Sequence, residues 1–220
     1  MENKLILNIL SYNLFQGEDE LQIKYINENK YDIIFLQEAS KDININNYLG
    51  YIVESHCGYT YLGINKNLKY TKLSVLVSEF GKLIYHVIIN DIKMVIGSLH
   101  LMHGGDNSSK MFRSEDLKEI YKLLKKKKLH SLPIIFGGDT NMRFNENFDN
   151  LDDIYLLNNN KNYYITYPNR EFKDSRLTFI PDMDFRFDRF FIKNCSFNNF
   201  ETIPNQSSDH LAIKTSIILN

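Results

Sequence analysis

Several residue types that point to particular protein classes are rare in this chain. Its 220 residues include no tryptophan, four prolines and two cysteines. Cys57 and Cys195 stand far apart and form no Cys-x-x-Cys pair, so neither a disulfide framework nor a cysteine-ligated zinc site is expected. Reduced, buried thiols are the simpler interpretation, and they suit an intracellular, reducing compartment.

Strong net charge and long apolar runs are missing as well. Lysine and arginine number 26 against 27 aspartates and glutamates, which leaves a net charge of −1. This excludes a protein that binds nucleic acid mainly through bulk positive charge, but not one with a local basic channel. No apolar stretch approaches the roughly 20 residues of a membrane span. We therefore expect no membrane partner, and we expect a monomer.

The chain does contain a series of short apolar segments. No linker rich in Pro, Gly or Ser divides it, so we predict a single catalytic domain over residues 1–220. Eight segments have the length and composition of buried strands: 5–10, 33–36, 73–77, 83–89, 94–99, 134–136, 187–192 and 211–218. Glu18–Asn29 and Ser114–Lys128 have helical periodicity. This mixture predicts an α/β fold in which two packed sheets are flanked by helices.

The second predicted helix is charged at both ends. It opens with Ser114-Glu115-Asp116 and closes with lysines 125–128, which matches the helix dipole. Those lysines could contact phosphate groups, but a solvated helix end is the simpler interpretation.

Polar residues follow the apolar segments. They stand at six predicted strand ends: Asn13, Glu38, His100, Asp139 with Asn141, Asp188 with Arg189, and Asp209 with His210. Each alone has an ordinary structural explanation, such as a turn, a cap or an ion pair. Because all six ends offer a metal-binding, basic or phosphate-contacting group, a shared site is the better interpretation of the whole set.

These residue types suit the hydrolysis of a phosphate ester. Carboxylates such as Glu38 and Asp209 are ligands that Mg²⁺ prefers, and Mg²⁺ keeps waters and substrate phosphate in its other positions. Asp139 and Asn141 are two residues apart and would point the same way if the backbone were extended. One of them could then activate water while the other holds the substrate or orients its neighbour.

A carboxylate is also available to serve a histidine. Asp188 could fix the tautomer of His210 and favour its charged form. Together, these carboxylates, amides and histidines predict a site for metal-assisted attack of water on a phosphate ester. Acyl transfer is a weaker alternative because the chain has no Gly-x-Ser-x-Gly elbow, and the P-loop pattern is missing too.

The motifs, in this order, resemble the endonuclease/exonuclease/phosphatase superfamily over nearly the whole chain. The segments that carry the resemblance are Tyr12-Asn13, Leu36-Gln37-Glu38, His100-Leu101, Gly138-Asp139-Thr140-Asn141, Phe187-Asp188-Arg189 and Ser208-Asp209-His210. Residues 138–143 and 186–191 are also similar to the tyrosyl-DNA phosphodiesterase 2 family. Residues 165–168 stand where that family has a Tyr-Thr-Trp segment. The resemblance implies a two-sheet sandwich with helices outside.

The resemblance also implies a metal and a role for several residues. The cofactor would be Mg²⁺, with Mn²⁺ as a substitute, bound chiefly by Glu38 with help from Asp209. Asn13 would lie close by. Asp139 would position or deprotonate the attacking water, with Asn141 beside it. Which carboxylate activates the water stays open.

Other residues would bind the substrate. By the same resemblance, His100 and His210 would hold the phosphate and stabilise its charge. Arg143, Tyr167 and Arg189 would contact the substrate, with Tyr167 replacing the family's aromatic residue in a chain that has no tryptophan. Further candidates for a basic, aromatic groove are Arg113, Phe144, Arg170, Arg176 and Arg186. After His100, the family has an acidic residue and a serine, and the stretch from Met102 to Gly105 departs from that pattern.

The implied reaction cleaves a 5′-phosphotyrosyl bond between a protein remnant and DNA and leaves a 5′-phosphate. A phenol has a pKa of about 10, so its departure needs little proton donation. A single-stranded 5′ end, of DNA or RNA, needs only a narrow basic groove with an aromatic surface, which fits the near-zero net charge.

Two alternatives stay open. One is a superfamily phosphoesterase acting on abasic-site nucleic acid, RNA, or a phosphorylated lipid or inositol, and the other is a non-catalytic nucleic-acid-binding module.

Overall fold

The structure is a computed structural model, and it describes residues 4–15, 19–39, 48, 50–56, 59–79, 81–143, 146–157, 187–203 and 208–219. The strands in these residues are β1 (Leu5–Asn13), β2 (Ile33–Gln37), β3 (Tyr51–His56), β4 (Thr60–Asn65), β5 (Tyr70–Glu79), β6 (Lys82–Ile89), β7 (Ile92–His100), β8 (Ile134–Asp139), β9 (Asp152–Asp153), β10 (Asp188–Lys193), β11 (Ser196–Ile203) and β12 (Ala212–Leu219). The helices are α1 (Glu20–Asn29), α2 (Asn107–Lys126) and the single turn α3 (Ile154–Leu157).

These strands form two six-stranded sheets that pack face to face. The first has the order β11-β12-β1-β2-β4-β3, and the second has the order β5-β6-β7-β8-β10-β9. Fully buried side chains such as Ile9 and Phe35 from the first sheet meet Ile96 and Phe190 from the second. The core between the sheets therefore follows from strands whose inward residues are almost all aliphatic or aromatic.

The two longer helices cover the outer faces of the sandwich. Ile26 of α1 packs in a cluster with Leu10 of the first sheet. Leu117 and Leu124 of α2 pack in a cluster with Phe136 of the second sheet. The predicted α/β sandwich flanked by helices is confirmed. Within the described residues, no helix is long and apolar enough to cross a membrane.

The second helix begins earlier than its sequence pattern predicts. It starts at Asn107, and Asp106 is its N-cap, with a carboxylate that accepts a hydrogen bond from the Ser109 N–H. The prediction that Ser114 opens this helix is wrong. Asp106 satisfies one free N–H group of the first turn, which stabilises a helix start in a segment without a regular apolar stripe.

Several strands escaped prediction because they lie at the edges of the sheets. The edge strands β3, β9 and β11 each pair on one side only. In β11, every residue except Phe200 is exposed or partly buried. Such strands lack the continuous apolar run of a central strand. The neighbouring β4 was missed because Gly63 interrupts its apolar pattern.

Cys195 packs against the core between the sheets. Burial raises the pKa of its thiol to about 12, so the group stays protonated and unreactive at neutral pH. Cys57 lies outside the described residues.

Candidate active site

The topology brings six chain segments to one end of the sandwich. Strands β1 and β2 are parallel, and so are β7 and β8, so their carboxyl ends lie at the same edge. Strands β10 and β12 run antiparallel to β8 and β1 and therefore begin at that edge. Asp139 at the end of β8 is paired with His100 of β7 on one side and with Asp188 of β10 on the other. The convergence expected from the sequence is present in the structure.

Asn13 joins the two carboxylates at the centre of this edge. Its side-chain amide donates hydrogen bonds of 3.0 Å to Glu38 Oε1 and 3.0 Å to Asp139 Oδ2. His100 Nε2 lies 3.5 Å from the same Glu38 oxygen and 3.6 Å from the same Asp139 oxygen. Asp139 is buried, whereas the Glu38 side chain is 26% exposed. Glu38 is therefore the carboxylate that solvent and solutes can reach.

Two residues at this edge have left-handed backbone conformations. Glu38 has φ 51° and Asn141 has φ 50°. Such values are uncommon outside glycine and cost of order 1–3 kcal/mol each, so the surrounding structure must hold them. At Glu38 the conformation ends β2 and turns the chain at the point where the carboxylate meets Asn13 and His100.

Asn141 differs from its sequence-based expectation. Because its backbone is not extended, its side chain does not run alongside that of Asp139. Its backbone N–H donates to Asp139 Oδ1 at 3.0 Å, and its side-chain amide donates to the Leu101 carbonyl at 3.0 Å. Asn141 thus orients the Asp139 carboxylate through the main chain and ties the loop to the end of β7.

His210 and Asp188 form the pair that the sequence suggested. His210 Nδ1 lies 2.8 Å from Asp188 Oδ2, and its Nε2 lies 3.8 Å from Asp139 Oδ2. Burial by itself lowers the pKa of His210, but the carboxylates of Asp188 and Asp139 outweigh it and raise the pKa to about 10. The imidazole is therefore a cation at neutral pH, held with one nitrogen toward the centre of the site.

Three side chains at this edge are placed to hold a metal ion. Ligand atoms of Glu38, His100 and Asp139 all lie within 4.8 Å of one another. Asp209, next to His210, has a buried Oδ1 that accepts no hydrogen bond within the described part of the chain. A buried, unpartnered carboxylate oxygen is costly unless a cation or its water shell satisfies it.

Arg143 lies on one flank of the site. Its guanidinium stacks over the Phe187 ring, 4.9 Å from the centroid, and that ring is 6.5 Å from the ring of His210. Burial, together with the charge of Arg113, lowers the pKa of Arg143. Arg143 therefore packs on a ring that neighbours His210, and its contact to substrate stays a prediction.

Arg189 does not lie where a substrate could reach it. It is 1% exposed, and its guanidinium donates to the carbonyl oxygens of Glu146, Met142 and Arg143 and to the Asp153 carboxylate. Arg189 therefore holds the loop that carries Arg143 and does not provide the predicted substrate contact.

Arg113, the groove candidate on α2, is buried in the same way. It donates to both oxygens of the Glu146 carboxylate at 2.8 and 2.7 Å. Its other nitrogen donates to the carbonyl oxygens of Met102 and Gly104. Arg113 thus joins the loop after β7 to the loop after β8.

Two residues of this region escaped sequence reasoning. The N–H of Phe15 donates to Asn13 Oδ1 at 2.9 Å, which leaves the amide N–H groups of Asn13 free to face the carboxylates. Glu146 is buried, and its Oε1 accepts from the Arg143 N–H at 3.2 Å. Neither residue had a sequence signal, because Phe15 acts through a backbone N–H that almost any residue offers and an isolated Glu in a loop is usually solvated.

The remaining substrate and groove candidates lie outside the residues that the structure describes. They are Phe144, Tyr167, Arg170, Arg176 and Arg186.

Comparisons with known proteins identify the fold. No family model matches the sequence, and no curated protein matches it. Among solved structures, D. rerio TDP2 humanized by 14 mutations has a TM-score of 0.73 and 18% identity, covering 96% of this chain and 98% of that one. D. rerio TDP2 complexed with single strand DNA product has a TM-score of 0.70 and 18% identity, with 96% and 98% covered.

Two proteins of Bacteroides thetaiotaomicron share this architecture. An endonuclease/exonuclease/phosphatase family protein has a TM-score of 0.71 and 16% identity, covering 99% of both chains. A mannosyl-6-phosphatase has a TM-score of 0.66 and 17% identity, covering 96% of this chain and 99% of that one. The structural neighbours are therefore TDP2 and endonuclease/exonuclease/phosphatase proteins, whose fold this chain shares from end to end.

Proposed function

We propose that the protein is a Mg²⁺-dependent phosphodiesterase that hydrolyses the 5′-phosphotyrosyl bond between a protein remnant and DNA, leaving a 5′-phosphate. The observation that carries the proposal is the arrangement around Asp139. An accessible carboxylate, two imidazoles and a fixed amide surround one buried carboxylate. Neighbours of the same fold support the nucleic-acid substrate, since one TDP2 structure contains single strand DNA product.

Glu38 and Asp209 would hold the metal. Glu38 is accessible and close to other ligand atoms, and Asp209 offers its unpartnered oxygen. A bound Mg²⁺, or Mn²⁺ in its place, would supply positive charge to a phosphoryl oxygen of the substrate. Asn13 keeps Glu38 oriented through the 3.0 Å hydrogen bond of its amide.

Asp139 is the proposed base for the attacking water. Hydrogen bonds from Asn13 and from the Asn141 N–H fix both of its oxygens. A carboxylate that is held in one orientation can accept a proton from water, or orient that water for attack, without reorganising during the reaction.

The histidines and Arg143 would stabilise the phosphate. His210 is cationic and Asp188 orients it, so its Nε2 N–H can donate to a phosphoryl oxygen. His100 reaches the same centre from the end of β7, and Arg143 adds positive charge at the flank of the site. Preorganised donors of this kind stabilise the charge that develops in phosphoryl transfer. The phenolate leaves readily, with a pKa of about 10 for the free phenol.

A phosphomonoesterase acting on sugar phosphates is the second candidate. One neighbour of the same fold is described as a mannosyl-6-phosphatase. The groups around Asp139 recognise phosphate and metal, which both kinds of substrate provide. The two candidates therefore differ in what lies around the phosphate rather than in the chemistry at its centre.

A substrate panel separates the candidates. The protein is incubated in Mg²⁺ with a 5′-phosphotyrosyl oligonucleotide, an abasic-site DNA, an RNA and a sugar phosphate, and product release is measured. We expect tyrosine release, and we expect Glu38→Ala or Asp139→Ala to abolish it while oligonucleotide binding persists. Glu28→Ala, which removes an exposed carboxylate from α1, is the matched control. Turnover of the sugar phosphate alone would refute the tyrosyl proposal.

A further inference from the structure

A second candidate site lies along helix α2, apart from the catalytic residues. A cavity of about 310 Å³ opens between this helix and residues 147–150. Three lysines of the helix, Lys118, Lys122 and Lys125, face it, together with Tyr121. The only carboxylate among the lining residues is that of Asp149. Lys122 pairs with the exposed Glu119 at 3.3 Å. The lining still holds more lysines than carboxylates, in a chain with a net charge of −1.

Two ammonium groups converge on one buried phenol at this cavity. Lys125 Nζ lies 4.8 Å and Lys193 Nζ lies 5.0 Å from the centroid of the Tyr121 ring. Lys193 also donates to the Tyr121 hydroxyl at 2.9 Å. Among the described residues, no carboxylate lies within ion-pair distance of Lys125 or Lys193. Both ammonium groups therefore lack an anionic partner among these residues, a role that a phosphate group would fill.

The cavity continues the flank of the catalytic site. Arg143 Nη2 lies 3.1 Å from the position that a Cβ on Gly105 would occupy, just before α2 begins. Nearly two turns into the helix, Arg113 binds Glu146. The residues that follow these two along their segments, Ser114 and Asn147, already line the cavity. The two segments that flank Arg143 therefore run on to form the walls of the basic cavity.

We propose that this cavity is a second phosphate subsite, which binds backbone phosphates of the nucleic-acid strand whose 5′ end occupies the catalytic site. The inference rests on the proposed function. Lysines bind phosphates as point charges and read no sequence, which suits a strand of any sequence. A strand running 3′ from the cleaved bond along α2 would bring later phosphates to Lys118, Lys122 and Lys125.

A binding experiment without turnover tests the subsite. Fluorescence anisotropy measures the affinity of single-stranded oligonucleotides without a 5′ adduct, of about 3 and about 15 nucleotides, over a range of salt concentrations. The test variant changes Lys118, Lys122 and Lys125 to Gln. The control variant changes the exposed lysines 24, 69 and 93 to Gln, which removes the same charge from distant surfaces.

We expect the α2 variant to weaken binding of the long oligonucleotide by roughly tenfold. The slope of log K against log salt concentration should become shallower by about 2, because each phosphate contact with a single strand releases about 0.7 counterion and three lysines are changed. The short oligonucleotide and the control variant should bind as the wild type does. Equal losses in both triple variants would show a bulk charge effect and overturn the proposal. A loss independent of length would point to a site for small anions only and would overturn it too.

Tyrosine release by the wild type separates this inference from the proposed function. Lysine-dependent binding of long strands without tyrosine release would refute the cleavage proposal alone. Tyrosine release together with unchanged long-strand binding in the α2 variant would refute the subsite alone. Circular dichroism of each variant verifies folding, which exposed Lys→Gln changes should leave intact.

Discussion

The buried pair between Arg113 and Glu146 tests how the loop that carries Arg143 is held. The Arg113 side chain is 1% exposed and the Glu146 side chain is 6% exposed, with a closest contact of 2.7 Å. Glu146→Gln keeps the volume but removes the negative charge and turns an NH₂ group toward the guanidinium. Removing one partner of a buried ion pair costs about 3–5 kcal/mol. We therefore expect urea unfolding at pH 7 to show a loss of about 3 kcal/mol.

The pH dependence of this loss follows from the pKa of Glu146. Burial raises that pKa, but hydrogen bonds from Arg113 and from the Arg143 N–H outweigh burial, and the folded pKa lies below its ordinary value. A carboxylate with a depressed folded pKa contributes stability above its unfolded pKa of about 4.3, and the contribution is lost as the pH falls through the folded value. The difference in free energy of unfolding between the wild type and Glu146→Gln should therefore become smaller below about pH 4.

Two results would refute this reasoning. One is a loss below about 1 kcal/mol at pH 7, the range expected of an exposed pair. The other is a difference that stays constant in acid. Glu119→Gln is the control, because its pair with Lys122 is 3.3 Å long and both side chains are more than 70% exposed. It should change stability by less than about 0.5 kcal/mol.

Two further substitutions test other parts of the structure. Lys30 ends α1 in a left-handed conformation, with φ 49° and ψ 52°, so Lys30→Gly should stabilise the protein by about 0.5–1 kcal/mol. A lower Tm in thermal denaturation would contradict this. Asp188→Asn removes the carboxylate that orients His210 and should reduce kcat by roughly 10²–10⁴-fold, with a much smaller change in KM. Steady-state kinetics with an unchanged kcat would exclude the proposed role of Asp188.

The central strands and the residues that follow them could be predicted from the sequence. Their apolar runs are continuous, because a strand covered on both faces has no polar side to present. Asn13, Glu38 and His100 stand directly at or after such runs, and parallel pairing takes the ends of their strands to one edge. The convergence of the site therefore follows from local patterns combined with a simple topology.

The roles of the three arginines could not be predicted in this way. Arg113, Arg143 and Arg189 carry the same charge and stand near similar motifs, yet two are buried in contacts with carbonyl and carboxylate oxygens, and one stacks on an aromatic ring at the flank of the site. Whether a guanidinium serves the structure or faces a substrate depends on the segments that close around it. Those segments come from distant parts of the chain.

The sequence alone thus determined the central strands, the two long helices and the chemical groups of the site, because these depend on residue type and on spacing between near neighbours. The tertiary structure decided the left-handed turn at Asn141, the burial of Arg113 and Arg189 and the basic cavity beside Tyr121. Each of these depends on hydrogen bonds or charges between segments tens of residues apart, and such pairings leave no periodic signal in the sequence.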